Sequence, residues 1–187
     1  MASRIAWACS AVAVMSVAFF PVAKAQQAPK WSDVDCAQSH IVGPNGLKCR
    51  ATQVYSGGNK MASDAGGTFQ HFSMSGTVNG AKLFFFSKEA SDPNSSIIAV
   101  SVADAVREFA PAGKSATNFA GAAPIAGGDY SRFTGANDDV CVATRKVGPP
   151  RKRGSAWYLL SVKCVPKGQT ISDADIASLM AAANFRG

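Results

Sequence analysis

The sequence predicts a single α+β domain: an antiparallel sheet of five to seven strands with two helices packed on it, stapled by two disulfides. Three observations carry this expectation. Short segments of alternating or branched apolar residues are separated by Gly-, Pro- and Asn-rich turns, which is the pattern of paired strands. Two other stretches repeat apolar residues every three or four positions, the pattern of a helix with one buried face. Four of the five cysteines lie beyond the N-terminal apolar segment, an even set that suits internal pairing in an exported chain.

The N-terminus sets the compartment. Met1 to Arg4 carries one positive charge, Ile5 to Phe20 is apolar or small throughout, and Pro21-Val22-Ala23-Lys24-Ala25 follows. A charged start, an apolar run and a small-x-small end describe a signal peptide, with cleavage expected between Ala25 and Gln26. A spanning helix would want roughly 20 apolar residues; this run is shorter and meets Pro21. Cys9 precedes most of the apolar run, which argues against a lipid anchor there. No later segment is long and apolar enough to span a bilayer, so the processed chain is expected in the periplasm or outside the cell.

Removing 25 residues from 187 leaves 162, a length that suits one domain, residues 26–187. A chain of this size buries about 68–70% of its unfolded surface, enough for a sizeable core. Its 17 basic and 12 acidic residues give +5. That is mildly basic and not a nucleic-acid-binding composition, but it allows weak adhesion to anionic membranes or envelope polymers.

The strands are expected over 47–55, 68–74, 81–88, 129–134, 140–146 and 157–164. Asn79-Gly80 is a favoured two-residue hairpin turn. Between the last two strands lies Val147-Gly-Pro-Pro-Arg-Lys-Arg-Gly-Ser-Ala156, a turn-rich loop. A hairpin centred between Lys152 and Arg153 places Cys141 opposite Cys164. Facing residues of antiparallel strands have Cα atoms ~4.5–5.5 Å apart, within the range a disulfide spans. Cys36 and Cys49 flank the turn signal Gly43-Pro44-Asn45-Gly46. The expected bridges are therefore Cys36–Cys49 and Cys141–Cys164; no CxxC spacing suggests a redox pair. Leu83-Phe84-Phe85-Phe86 is apolar on both strand faces. It reads as a central strand covered on each side, or else as an exposed aromatic patch.

The first helix is expected over Ser95–Ala110, with Ile98, Val102, Ala105, Val106 and Phe109 on one face. The β-branched Ile97, Ile98, Val100 and Val102 leave a strand start open for its first part. The second helix begins at Ser172, which can cap it with Asp175 in a capping box and Ile171 and Ile176 as a staple. Residues 56–67 and 114–128 read as loops, the first Gly-rich and the second rich in Ala, Gly and Pro.

No catalytic or cofactor motif emerges, and no cofactor or metal is expected. Ala112-Gly113-Lys114-Ser115 ends like a phosphate-binding loop, but Glu108 stands where the leading glycine belongs. His40 and His71 have no helical ligand spacing, and His71 is expected on a solvent-facing strand position. The nucleophile elbow G-x-S-x-G is absent. One cluster stands out: Arg145, Lys146, Arg151, Lys152 and Arg153 gather at a hairpin tip, stiffened by Pro149-Pro150 and followed by Trp157 and Tyr158. Basic groups beside aromatics can grip an anionic envelope polymer, lipid headgroups or an acidic protein; the same charges can also simply blunt a sheet edge. The expectation is a non-enzymatic binding protein of the cell envelope. The alternatives are a hydrolase with a cleft near residues 56–67 and 114–128, or a structural component that self-associates through Phe84–Phe86.

Overall fold

A computed structural model describes residues 30–56, 67–98 and 100–186, without the side chains of 54–56. The expected signal segment and residues 57–66 of the Gly-rich loop lie outside the described residues. In chain order the strands are β1 (Ser32–Asp33), β2 (Ile41–Val42), β3 (Lys48–Ser56), β4 (Gly67–Val78), β5 (Ala81–Ala90), β6 (Ala123–Ile125), β7 (Gly128–Thr134), β8 (Val140–Val147), β9 (Pro150–Arg151), β10 (Gly154–Ser155), β11 (Trp157–Val165) and β12 (Asn184–Phe185). The helices are α1 (Val102–Phe109) and α2 (Asp173–Ala182).

Eight strands form one antiparallel sheet in the order β1-β3-β4-β5-β11-β8-β7-β6. The alternation of side chains divides the core between its two faces. Phe86, Leu160, Ala143 and Phe133 pack with Val102 and Val106 of α1 on one face. Phe85, Leu159 and Val142 pack with Ile176 and Leu179 of α2 on the other. The two helices thus cover opposite faces. β5 lies between β4 and β11 with both edges paired, and Phe85 and Phe86 are buried. This explains why Leu83–Phe86 is apolar without alternation: a strand covered on both faces has no solvent side to keep polar.

The sheet exceeds the expected five to seven strands. The excess comes from its edges, where β1 and β6 are only two and three residues long, too short to show a period-two pattern. β6 lies within the expected 114–128 connection. Thr117 also pairs with Thr134, and the Ala120 N–H donates to the Arg132 carbonyl. That stretch therefore hydrogen-bonds along the outer edge of β7 instead of crossing free. Asn79 and Gly80, at φ 50° and 78°, make the two-residue turn between Val78 and Ala81.

α1 is shorter than Ser95–Ala110. Ser101 is its cap, its Oγ accepting from the Asp104 N–H at 3.1 Å. Ahead of the cap, Ile97 pairs with Ser155 of β10 as an isolated antiparallel bridge. This corrects the expected place of Ile98 on the buried helical face: Ile98 is exposed, and Ile97 is buried instead. Branching at Cβ favours the extended backbone here, and the serine cap fixes where the helix starts. α2 begins as expected. Ser172 Oγ accepts from the Asp175 N–H, and the Asp175 carboxylate accepts from the Ser172 N–H.

Candidate functional basic hairpin

β8 and β11 pair in a register that places Cys141 opposite Cys164, and the two are bonded. The same register continues outward. The Gly148 N–H donates to the Trp157 carbonyl and the Ala156 N–H to the Pro149 carbonyl. Arg151 then faces Gly154. The result is one long arm whose two-residue turn is Lys152-Arg153, with a disulfide at its base. Cys36 and Cys49 form the second bridge.

The seven residues expected at the contact surface divide sharply. Arg145 is half-buried and grips Asp129, its register partner on β7, through two hydrogen bonds of 3.0 and 2.7 Å. Such a planar fork on a carboxylate leaves little of the guanidinium for another anion. Lys146 donates to the Ala183 carbonyl at 2.7 Å and to Asn184 Oδ1 at 2.9 Å, tethering β12. Partial burial lowers its pKa below the ordinary lysine value. Trp157 stacks on Phe185 with ring centroids 4.6 Å apart. Tyr158 is 2% exposed and sits in the α1-face core. Both aromatics are therefore committed to packing.

Arg151 is the anchor of the arm. Its Nη1 donates to the carbonyl oxygens of Asp92 and Ser95, each at 2.6 Å. The turn it grips is itself organised by Asp92, whose carboxylate accepts from the backbone N–H groups of Asn94 and Ser95 and from the Ser95 hydroxyl. These bonds, the Ser95 hydroxyl first, hold the Asp92 carboxyl below its ordinary pKa. Gly154 packs against the same segment so closely that an added Cβ would lie 2.0 Å from the Ile97 carbonyl oxygen. What remains is Lys152 and Arg153. Both are exposed, and neither is held by a hydrogen bond or ion pair to a described residue.

No family model, no curated protein and no solved structure matches this chain. The case for function therefore stands on the geometry alone.

The acids near the arm are hydrogen-bonded within the fold. Besides Asp92 and Asp129, Glu89 shares a 2.7 Å hydrogen bond with His40 Nδ1. That pair brings together residues 49 apart in sequence, and no local pattern could have announced it. The His40 ring stacks on Phe72 with centroids 4.5 Å apart, so the pair also fixes the β2 segment against the sheet. Apolar exposure was equally illegible. Among the described residues the exposed large hydrophobics are Val42, Ile98 and Val147, at 40, 41 and 51%. Ile98 and Val147 lie toward the end of the sheet from which the arm departs, and Val42 lies on the separate β2–β12 pair. Ile98 adjoins the Ile97–Ser155 bridge. Val147 ends β8 where the arm departs. Val42 pairs with Asn184, the residue Lys146 holds.

His71 corrects its expectation. It is buried on the α1 face, with ring centroids 5.3 Å from Phe86 and 6.2 Å from Phe109. α1 covers a position that sequence alternation alone left facing solvent. Three clefts open on the described surface. One of about 410 Å³ lies between α2 and the β4–β5 turn, over Phe85, Leu83 and Leu179 with Lys163 and Asp175 in its wall. One of about 280 Å³ lies on the opposite face over Phe84, Val162 and Cys164. A third, also about 280 Å³, borders Cys36 and Met74. None of the three is lined by His71 or by residues 114–128.

Proposed function

We propose that this chain is an exported, non-enzymatic binding protein of the cell envelope that engages a phosphate-bearing anionic partner through its hairpin tip. The observation that carries the reading is the Lys152-Arg153 turn: two adjacent cations held outward on an arm pinned by Arg151. Other cations of the fold, such as Arg145, Lys82 and Lys163, are satisfied by carboxylates within 2.7 Å. Holding the arm in place beforehand lowers the ordering cost of contact. The two disulfides suit an oxidising compartment.

The interaction is weak by design of its size. A cation near an anionic leaflet contributes about 1 kcal/mol, so the pair contributes about 2 kcal/mol, roughly thirtyfold in affinity. It is screened over ~8 Å at physiological ionic strength. The test compares Lys152→Ala/Arg153→Ala with Lys48→Ala/Lys114→Ala, which removes the same charge from two other exposed lysines. The expected result is a loss of adsorption to anionic surfaces for the first variant only. Equal losses would mean that overall charge, and not the tip, does the binding.

A further inference from the structure

We infer that the cleft over Phe84, Val162 and Cys164 is a binding site for a small amine with an apolar body, whose ammonium pairs with Asp139. This is a second site, toward the Asn79-Gly80 end of the sheet and apart from the Lys152-Arg153 turn. The cleft holds about 280 Å³, just under the ~300–1,000 Å³ usual for drug-sized ligands, which suits a single ring. Its floor is apolar and held in place by the fold. Thr77, Lys82 and Cys164 meet across β4, β5 and β11, with Ser75 and Phe84 beside them on the same face. Gly135 packs on the disulfide so closely that an added Cβ would lie 2.7 Å from Cys141 Sγ. That contact seats the turn that leads to Asp139, in which Asn137 and Asp138 hold φ at 58° and 59°. Such sparsely populated backbone gathers at ligand sites, where the surrounding structure enforces it.

Two observations select a cation. Asp139 lines the cleft and is 8% exposed, so its carboxylate lies where the local dielectric is low and a partner counts most. It accepts from Lys82 Nζ through Oδ2 at 2.7 Å, while Oδ1 takes no hydrogen bond from a described residue. A carboxylate has about four acceptor sites, so most of this one's capacity is open to a ligand. Lys82 has 63% of its side chain exposed and can turn to water at little cost. The second observation is that α1 ends at this cleft, with Ala110, Pro111 and Ala112 in the wall. The C-terminal end of a helix favours positive charge. An anion would meet both Asp139 and this helix end with the wrong sign. The larger cleft beside α2 lacks the feature, because Asp175 there already accepts three hydrogen bonds from Lys163 and Ser172.

The test titrates residues 26–187 with 2-phenylethylamine, its neutral isostere 2-phenylethanol and the anion 3-phenylpropanoate, following backbone amide shifts by NMR. The expected result is saturable shifts centred on Ser75–Thr77 and Ala110–Ala112, with the amine bound about tenfold more tightly than the alcohol and the anion not bound. Asp139→Asn is expected to lose that tenfold for the amine and to keep the alcohol. Thr77→Phe, at an exposed position on the rim, is expected to crowd the cleft and weaken both. Thermal melting checks that each variant folds, and Thr77→Phe decides alone if Asp139→Asn does not. Equal affinity for amine and alcohol, or amine binding unchanged by Asp139→Asn, would overturn the assignment of a cation. No saturable binding, shifts centred outside the cleft, or binding unchanged by Thr77→Phe would overturn the site itself. Lys152→Ala/Arg153→Ala is expected to bind the amine as the parent does, so this inference and the tip reading fail separately.

Discussion

Cys141 and Cys164 face each other directly across β8 and β11, with Cα atoms 4.2 Å apart, and their disulfide closes the base of the arm that ends in Lys152-Arg153. The link encloses a loop of 23 residues by sequence separation. Constraining a loop of that size in the unfolded chain stabilises the native state by about 3 kcal/mol. The double variant Cys141→Ala/Cys164→Ala is expected to lose about that much in urea denaturation. An unchanged midpoint would mean that the bridge contributes only to the folded arm's geometry.

Phe85 and Phe84 are neighbours with different environments. Phe85 is fully buried against α2, whereas Phe84 is half-buried and lines a cleft. Phe85→Ala is expected to cost about 3–5 kcal/mol, as large aromatic truncations in cores do, and Phe84→Ala clearly less. Equal losses in thermal or chemical denaturation would contradict the placement of β5 at the centre of the sheet.

Asp175 ties α2 to the sheet. It accepts from Lys163 Nζ at 2.6 Å, from the Ser172 hydroxyl at 2.7 Å and from the Ser172 N–H at 3.0 Å. Lys163 first, then Ser172, hold its carboxyl well below the ordinary aspartate value. A carboxyl depressed in the folded state contributes stability that is complete above its unfolded pKa of about 3.9 and is lost as the pH falls through the folded one. The stability gap between the parent and Asp175→Asn is therefore expected to be constant near neutrality and to close on acidification. A gap that persists unchanged in strong acid would show that the loss has another origin.

Arg151 holds the arm by two charged hydrogen bonds to backbone carbonyls. Bonds to charged groups are each worth about 1.5–3 kcal/mol. Arg151→Ala is expected to free the arm and speed tryptic cleavage after Lys152 or Arg153 by about tenfold or more, since proteolysis follows the open population. Cleavage at the parent's rate would show that the arm is held by Gly154 and Pro149-Pro150 without help from Arg151.

Much of this fold was legible because the signals are local. Asn79-Gly80 names its own turn, Ser172 and Asp175 name their cap, and residues 141–164 are symmetrical about the Lys152–Arg153 centre. The edge strands β1 and β6 were not legible, since two or three residues carry no period. The start of α1 was only half legible: Ile98 fits a helical face and the β-branched run leaves a strand open, and only the partner Ser155 decides that Ile97 turns inward. The candidate site was legible as a cluster but not in its division of labour. Charge spacing locates Arg145, Lys146 and Arg151 near the tip. It cannot say that Asp129, Ala183 and Ser95 hold them there, because those partners come from other elements.

The most direct measurement is the salt dependence of adsorption to anionic vesicles for residues 26–187 and for the same chain carrying Lys152→Glu/Arg153→Glu. The expected result is parent binding that weakens steadily as sodium chloride rises, against variant binding that is weak at low salt and nearly flat. Two parallel curves of equal strength would contradict a cationic tip as the contact surface.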